Sequence, residues 1–280
     1  MKLFINSYKA GSASVKALAE GLREAGVDTK IIKKTNSKYK HDEENHVVIN
    51  WGDSKCPDYA SLINPATSVV KAANKVETFK TLTDYGIQAV PSFFSKEDAA
   101  KFLERDKGRV VYCRKLVNAS QGDGIVIAKS VDELVDAPLY TGGIVAAKRK
   151  EFRVHVFDGK IIKVQQKKRR NGYKEDENYN DLIRNLKGGW VFCTEDVRIG
   201  RKAGDTCRLA VRALGLTFGA VDILETTNGE GWVLEVNTAC GLQGSTVDAY
   251  VEAIKDKFKP VPVPEPAPWG NFFFEDEADE

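Results

Sequence analysis

Apolar and polar positions follow one another along the chain with two different periods, and the order of those periods predicts an architecture. Residues 2–6 (KLFIN) form a short apolar run suited to a buried strand. After the turn at Gly11 the apolar positions Val15, Leu18, Ala19 and Leu22 recur at helical spacing until Gly26 stops the pattern. Residues 29–34 (TKIIKK) resume as a strand, and residues 46–50 (HVVIN) make a third that ends in Trp51, Gly52 and Asp53. This order predicts a βαβ-type unit whose ligand-binding edge lies at the carboxyl ends of its strands.

Residues 74–85 are helical again until Gly86, and residues 90–94 (VPSFF) followed by SKEDAAKFLE read as a short strand and a capped helix. The pattern then turns to strands at residues 109–114, 124–128, 144–147, 152–157 and 160–166, with Asp158-Gly159 forming a tight turn between the last two. This second region is therefore expected to be antiparallel, unlike the first. A final α/β stretch holds a helix near residues 203–214, paired strands at 217–224 and 231–236, and a helix near 243–258. No internal repeat interrupts the order. After Lys259 the chain changes to PVPVPEPAPWGNFFFEDEADE, where prolines favour an extended linker and acids favour solvation, so residues 260–280 are expected to be disordered and outside the fold.

Composition narrows the functional classes. The 280 residues carry a formal net charge of only +2, which gives no overall field for nucleic acid or a membrane surface, so any charge argument has to be local. Five scattered cysteines, Cys56, Cys113, Cys193, Cys207 and Cys240, include no CxxC pair and fit a reducing compartment better than structural zinc. The first apolar run ends at Asn6, too early for a signal peptide, and no other run reaches membrane-spanning length; a soluble, cytoplasmic protein is expected.

Three groups of residues carry candidate chemistry. Asp222 on one strand is followed by Glu235 and Asn237 on the next, in AVDIL and VLEVNTACG, with Glu235 and Asn237 on one strand face and Asp222 across the hairpin. Oxygen-only ligands of this kind suit Mg²⁺, with Mn²⁺ as the alternative, and such ions complete their shells with water and phosphates. The competing reading is a hairpin with acids on its solvent face. Asn118 to Gly124 (NASQGDG) join two strands, and their small residues let backbone N–H groups approach phosphate, although such loops also serve as plain hairpin connectors. Arg114, Lys115, Lys148, Arg153 and the run Lys167, Lys168, Arg169 and Arg170 deliver positive charge suited to a triphosphate; QQKKRRNG reads equally as a solvated loop or a patch for an anionic partner.

In this order the pieces resemble the ATP-grasp superfamily to about Lys259, with GAVDIL…WVLEVNTACGLQG the most specific part. EFRVHVFDGKII and the compact length are similar to the carboxylate–amine ligases related to the enzymes that add glutamate to a ribosomal protein, small versions of which bacteriophages often encode. The resemblance implies an α/β (α+β) fold with an N-terminal α/β preceding domain over residues 1–66 and two α+β subdomains, 67–147 and 148–259, clasping ATP. It implies two Mg²⁺ on Asp222, Glu235 and Asn237, and phosphate contacts from Lys75 and from Arg114 or Lys115. Ser120, Gln121, Gly122 and Gly124 would lie in the loop that closes over the phosphates. Adenine would be read by the backbone of Val145, Ala146, Ala147 and Lys148, and the ribose held by Glu151. Arg153 and one of the residues Lys167 to Arg170, Lys167 and Arg169 foremost, would face the γ-phosphate and the tetrahedral intermediate as catalytic residues.

The resemblance also implies an acyl-phosphate route to an amide bond with release of ADP and phosphate, using small-molecule or peptide carboxylate and amine substrates, or a protein acceptor. Two departures stand out: Leu116 follows Lys115 where proline is frequent, leaving Arg114 and Lys115 as alternatives, and Cys240 replaces a proline, which makes it a candidate substrate-side thiol. Two other functions compete with this one: an inactive ATP-binding regulatory or assembly module, and a nucleic-acid-associated modifying protein using QQKKRRNG, against which the near-neutral charge speaks. The acidic, aromatic tail suits a protein partner.

Overall fold

The computed structural model describes residues 1–105, 108–118, 123–144, 148–175, 177 and 179–259. Strands β1 (Lys2–Ser7), β2 (Thr29–Ile31), β3 (His46–Trp51) and β4 (Leu62–Ile63) form a parallel sheet of order β2-β1-β3-β4, as a βαβ opening requires. Helix α1 (Ala13–Glu24) starts where the Ser12 hydroxyl accepts the Val15 N–H, and it buries Val15, Leu18, Ala19 and Leu22 against the sheet. The expected strand TKIIKK stops at Ile31, so Lys33 and Lys34 leave the sheet edge.

Helix α2 (Ala66–Ala73) was not legible as a helix of its own; it is short and buries only Val69 and Ala72. Asn74 then ends it and caps α3 (Lys75–Asp84), its Oδ1 accepting from Val76 N–H at 3.0 Å. Strands β5 (Ser92–Phe93), β6 (Val111–Arg114), β7 (Ile125–Ala128) and β8 (Leu139–Gly142) form an antiparallel sheet of order β5-β8-β6-β7, covered by α4 (Lys96–Arg105). The sequence pattern did not mark β8, which ends before the strand expected at 144–147. Its Tyr140 and Leu139 are buried, and Gly142 lets α4 approach closely, since a Cβ there would lie 2.5 Å from Phe102 Cζ. Ile144 lies past the strand end, and residues 145–147 are outside the described set.

The third sheet is built from β9 (Arg149–Phe157), β10 (Lys160–Arg169), β11 (Trp190–Cys193), β12 (Phe218–Thr226) and β13 (Gly231–Asn237), antiparallel in the order β11-β10-β9-β12-β13. The edge strand β11 escaped the sequence pattern because it is four residues long and only its Trp190 is buried. One face packs Val154, Val156, Val221, Ile223, Val233 and Val236 against α5 (Arg201–Ala213) and the α3 residues Phe79 and Leu82. The other face is divided. At one end Phe157, Phe218 and Ala220 join β1, β3, α1 and α6 (Ser245–Lys257) in a second core. At the other end the same face carries charged side chains.

Candidate active site

Strand register places the charged residues in rows. Asp222 lies between its cross-strand partners Arg153 on β9 and Glu235 on β13, and Ala220 lies between His155 and Asn237 in the next row. A bulge follows at once: after the Asp222/Glu235 pair the register shifts, and Ile223 pairs with Val233 rather than with Leu234. The bulge keeps Glu235 and Asn237 on the charged face while Val233 returns to the apolar core.

Every carboxylate in these rows is held by a base. Arg153 donates from Nε to Asp222 Oδ1 at 2.7 Å and from Nη2 to Oδ2 at 2.8 Å, a bidentate pair with both side chains largely buried. Burial opposes ionisation of Asp222, but the Arg153 charge and its two hydrogen bonds outweigh it and hold the carboxyl below the usual range. Lys75, the first residue of α3, reaches Glu235 Oε1 at 3.3 Å. Glu151 is buried between Lys167 Nζ at 3.2 Å and Arg184 Nη1 at 3.4 Å. Phe192 of β11 lies under both Arg153 and Lys167, 4.5 Å and 5.5 Å from ring centre to charge.

Arg114 and Lys115 separate by strand alternation. Val111 and Cys113 are buried in the core under α4, which turns Tyr112 and Arg114 to the opposite face, where Arg114 Nε donates to Thr141 Oγ1 at 3.1 Å. Burial pulls the Arg114 pKa down, and the charge of Glu235 opposes it. Lys115 is exposed. Gly124 takes φ +72° beside Leu116, and Ser120, Gln121, Gly122, Val145, Ala146 and Ala147 lie outside the described residues. Lys148 is exposed at the start of β9. Arg169 is the outermost of the expected bases: it binds Tyr179 Oη at 2.7 Å and Asp181 at 3.2 Å, away from Asp222.

The segment between β10 and β11 supplies residues that sequence reasoning missed. Arg184 pairs with Glu151 and stacks on Trp190 at 4.6 Å, while Tyr112 Oη donates to the Leu182 carbonyl at 3.4 Å, bringing this segment against the second sheet. The available signal was the mixture of Arg, Tyr and Trp in an otherwise polar stretch. Between this segment and the second sheet lies a cleft of about 1010 Å³, lined by Lys148, Arg149, Lys150, Arg169 and Arg184 among others.

From His155 in the second row runs a buried polar chain. His155 Nε2 donates to Gln165 Oε1 at 3.1 Å, Tyr250 Oη donates to His155 Nδ1 at 3.2 Å, and the Cys240 thiol lies 3.4 Å from Tyr250 Oη. Burial lowers the His155 pKa to about 4, which fixes a neutral ring. Burial also raises the Cys240 thiol to about 11, which keeps it protonated rather than nucleophilic near neutrality.

Among the described residues no three His, Cys, Asp and Glu side chains form a metal cluster. Asp222, Glu235 and Asn237 instead offer two carboxylates and a carboxamide, an oxygen set that leaves room for phosphate and water around a hard cation. The Asn237 carboxamide fits this, because its terminal Nδ2 is buried without a hydrogen-bond partner among the described residues. A half-turn of the amide exchanges that nitrogen for an oxygen.

This arrangement of sheets recurs in solved structures. An ATP-grasp ligase, PsnB, complexed with a minimal precursor, Mg and ADP superimposes with a TM-score of 0.61 over 90% of this chain and 96% of that one, at 14% identity. The D-alanine–D-alanine ligase of Bacillus anthracis gives 0.57 over 92% and 98%, at 13% identity. The fold is thus the mixed α/β ATP-grasp fold. The chain belongs to the family of RimK-like ATP-grasp domains, whose profile it matches over residues 72–257. Sequence relatives include proteins called probable alpha-L-glutamate ligase from Shewanella loihica, 27% identical over 194 residues, and from Methanococcoides burtonii, 25% identical over 193. The matched region covers 65% of this chain and 60% of each relative, so the chain spans about three-fifths of their length.

Proposed function

We propose that the protein is an ATP-dependent ligase that joins a carboxylate to an amine through an acyl phosphate, releasing ADP and phosphate. The observation that carries this reading is the pairing of each carboxylate in the site with a base from another element: Asp222 with Arg153, Glu235 with Lys75, and Glu151 with Lys167 and Arg184. A magnesium nucleotide offers both halves of that exchange at once. The bases would hold its phosphates and the acids its metal, so that no buried charge is left alone.

In this reading Asp222, Glu235 and Asn237 hold two Mg²⁺, which when bound supply charge neutralisation at the phosphates. Arg114 and Lys75 contact phosphate, and Glu151 accepts from the ribose in place of one of its two bases; the expected phosphate loop, 118–124, and adenine segment, 145–148, fall largely outside the described residues. A substrate carboxylate oxygen attacks the γ-phosphorus, and the bond to the β–γ bridging oxygen breaks to release ADP. The amine then attacks the acyl carbon, Arg153 stabilises the oxyanion, and the carbon–oxygen bond breaks to release phosphate as the nitrogen loses its proton. The chain need only bind, orient and neutralise charge; no protein nucleophile is required.

The relatives' names make L-glutamate the first amine to try, and peptide-bound neighbours such as the macrocyclase MdnC of Microcystis aeruginosa with its precursor MdnA favour a peptide carboxylate. The test is release of ADP and phosphate by the protein with Mg-ATP, L-glutamate, peptides and cell extract, beside Glu235→Gln. Substrate-dependent release should fall at least about a hundredfold in the variant. Tight Mg-ATP binding with no release under any substrate pool would overturn the ligase and leave a nucleotide-binding module.

A further inference from the structure

The cleft between the second sheet and the 170–189 segment has an excess of positive charge. Five bases line it, Lys148, Arg149, Lys150, Arg169 and Arg184, against two acids, Asp181 and Glu225. Both acids are engaged: Asp181 binds Arg169 and Arg184, and Glu225 Oε1 accepts the Gly200 N–H at 2.7 Å. Lys148 and Lys150 are exposed at its mouth, and no acid of the described residues pairs with either.

The complementary charge is in the same chain. Residues 275–280 (EDEADE) hold five acids directly after Phe272, Phe273 and Phe274. The fold also fixes where this segment departs. Lys257 at the end of α6 pairs with Asp158 at 3.0 Å, which places the last helical residue at the β9–β10 turn. The cleft lies at the opposite end of these two strands, where β9 begins at Arg149 and β10 ends at Arg169. At ~3.3 Å per residue the nine steps along β10 cover about 30 Å. Residues 260–268, five of them proline, reach about 28 Å at the ~3.1 Å per residue of an extended polyproline chain. The linker is thus as long as the strand it has to pass, with the aromatic and acidic residues still in hand.

We propose that the acidic segment 275–280 docks in cis on the basic cleft at Lys148, Lys150 and Arg169, and competes there with polyanions, the nucleotide foremost. Carboxylates meet cations at the mouth, and the phenylalanines add ring faces to a surface whose guanidinium groups already stack on Tyr173 and Trp190. Tethering supplies an effective concentration on the order of millimolar, enough for a weak contact to be populated. Docking itself does not rest on the ligase reading; only the competition with ATP does.

Zero-length carbodiimide coupling of the full chain at low concentration tests the docking without any nucleotide. Glu275 to Glu280 should form amides within one molecule to Lys148 and Lys150, and these should fade in about 0.5 M salt as screening shortens to a few ångströms. Amides formed only between molecules, or mainly to the other basic stretch, Lys33, Lys34, Lys38 and Lys40, would overturn the proposal, as would none at all. The competition has its own readout in full-length protein carrying E275Q, D276N, E277Q, D279N and E280Q. Mg-ATP should bind this variant roughly 3- to 10-fold more tightly at low salt, with the difference gone at high salt. If cross-links map to the cleft while Mg-ATP affinity is unchanged, the docking stands and the competition falls. Neither protein binding Mg-ATP at all would instead strike the function proposed above.

Discussion

The Arg153–Asp222 pair gives the sharpest test of how the site is held before nucleotide arrives. Replacing Asp222 by Asn keeps the shape but leaves a guanidinium facing a neutral amide in a place where the Arg153 side chain is 21% exposed and Asp222 only 11%. Breaking a buried pair from one side costs ~3–5 kcal/mol, and because Asn retains one acceptor the lower end applies, about 3 kcal/mol. For a chain of this size that corresponds to roughly 6 °C in Tm. Arg153→Gln should cost less, since Lys167 still offsets the Asp222 charge, and the double variant should recover about 2 kcal/mol relative to the sum of the singles. The measurement is urea unfolding of all four proteins in chelator without nucleotide. The pH dependence has a fixed sign: Asp222 ionises more readily folded than unfolded, so its contribution is present above the ordinary carboxylate range and is lost as pH falls through its lowered folded pKa. The gap between wild type and Asp222→Asn should therefore close on acidification. A coupling within about 0.5 kcal/mol of zero, or a gap that stays constant with pH, would mean that the ion pair does not hold the site.

Two further outcomes follow from neighbouring geometry. His155 has a folded pKa of about 4 against an ordinary 6.5, so stability should be intact above pH ~6.5 and fall by about 2 kcal/mol between pH 7 and 5 as the unfolded chain takes the proton; unfolding of His155→Gln at the two pH values should lack that increment. Gly52 takes φ +75° with its missing Cβ 2.5 Å from the Ala239 Cβ, whereas Gly26 takes φ +81° in open space. Gly52→Ala should cost about 2–3 kcal/mol in urea unfolding and weaken Mg-ATP binding by moving the loop that follows Asn237, while Gly26→Ala costs about 1 kcal/mol and leaves binding alone.

Local pattern carried much of this protein. Period-2 and period-3.6 alternation located most strands and helices, and the spacing of Glu235 and Asn237 put both on one face because side chains alternate along the stretch of β13 beyond its bulge, whereas the bulge itself, which sets Val233 on the opposite face, had no sequence signal. Parity also bears on Arg114 against Lys115, but only once Val111 and Cys113 are known to be the buried pair. Tertiary structure decided the rest. It chose the partner of each charge, because Arg153 and Asp222 are 69 residues apart and Lys75 and Glu235 are 160 apart, separations at which sequence specifies no contact. It brought Arg184 onto Glu151, with the guanidinium stacked on Trp190, from a segment with no periodic signal. It also turned Cys240 from a candidate substrate-side thiol into a buried member of a hydrogen-bonded chain, since its polar partners His155 on β9 and Tyr250 on α6 come from other elements of the fold.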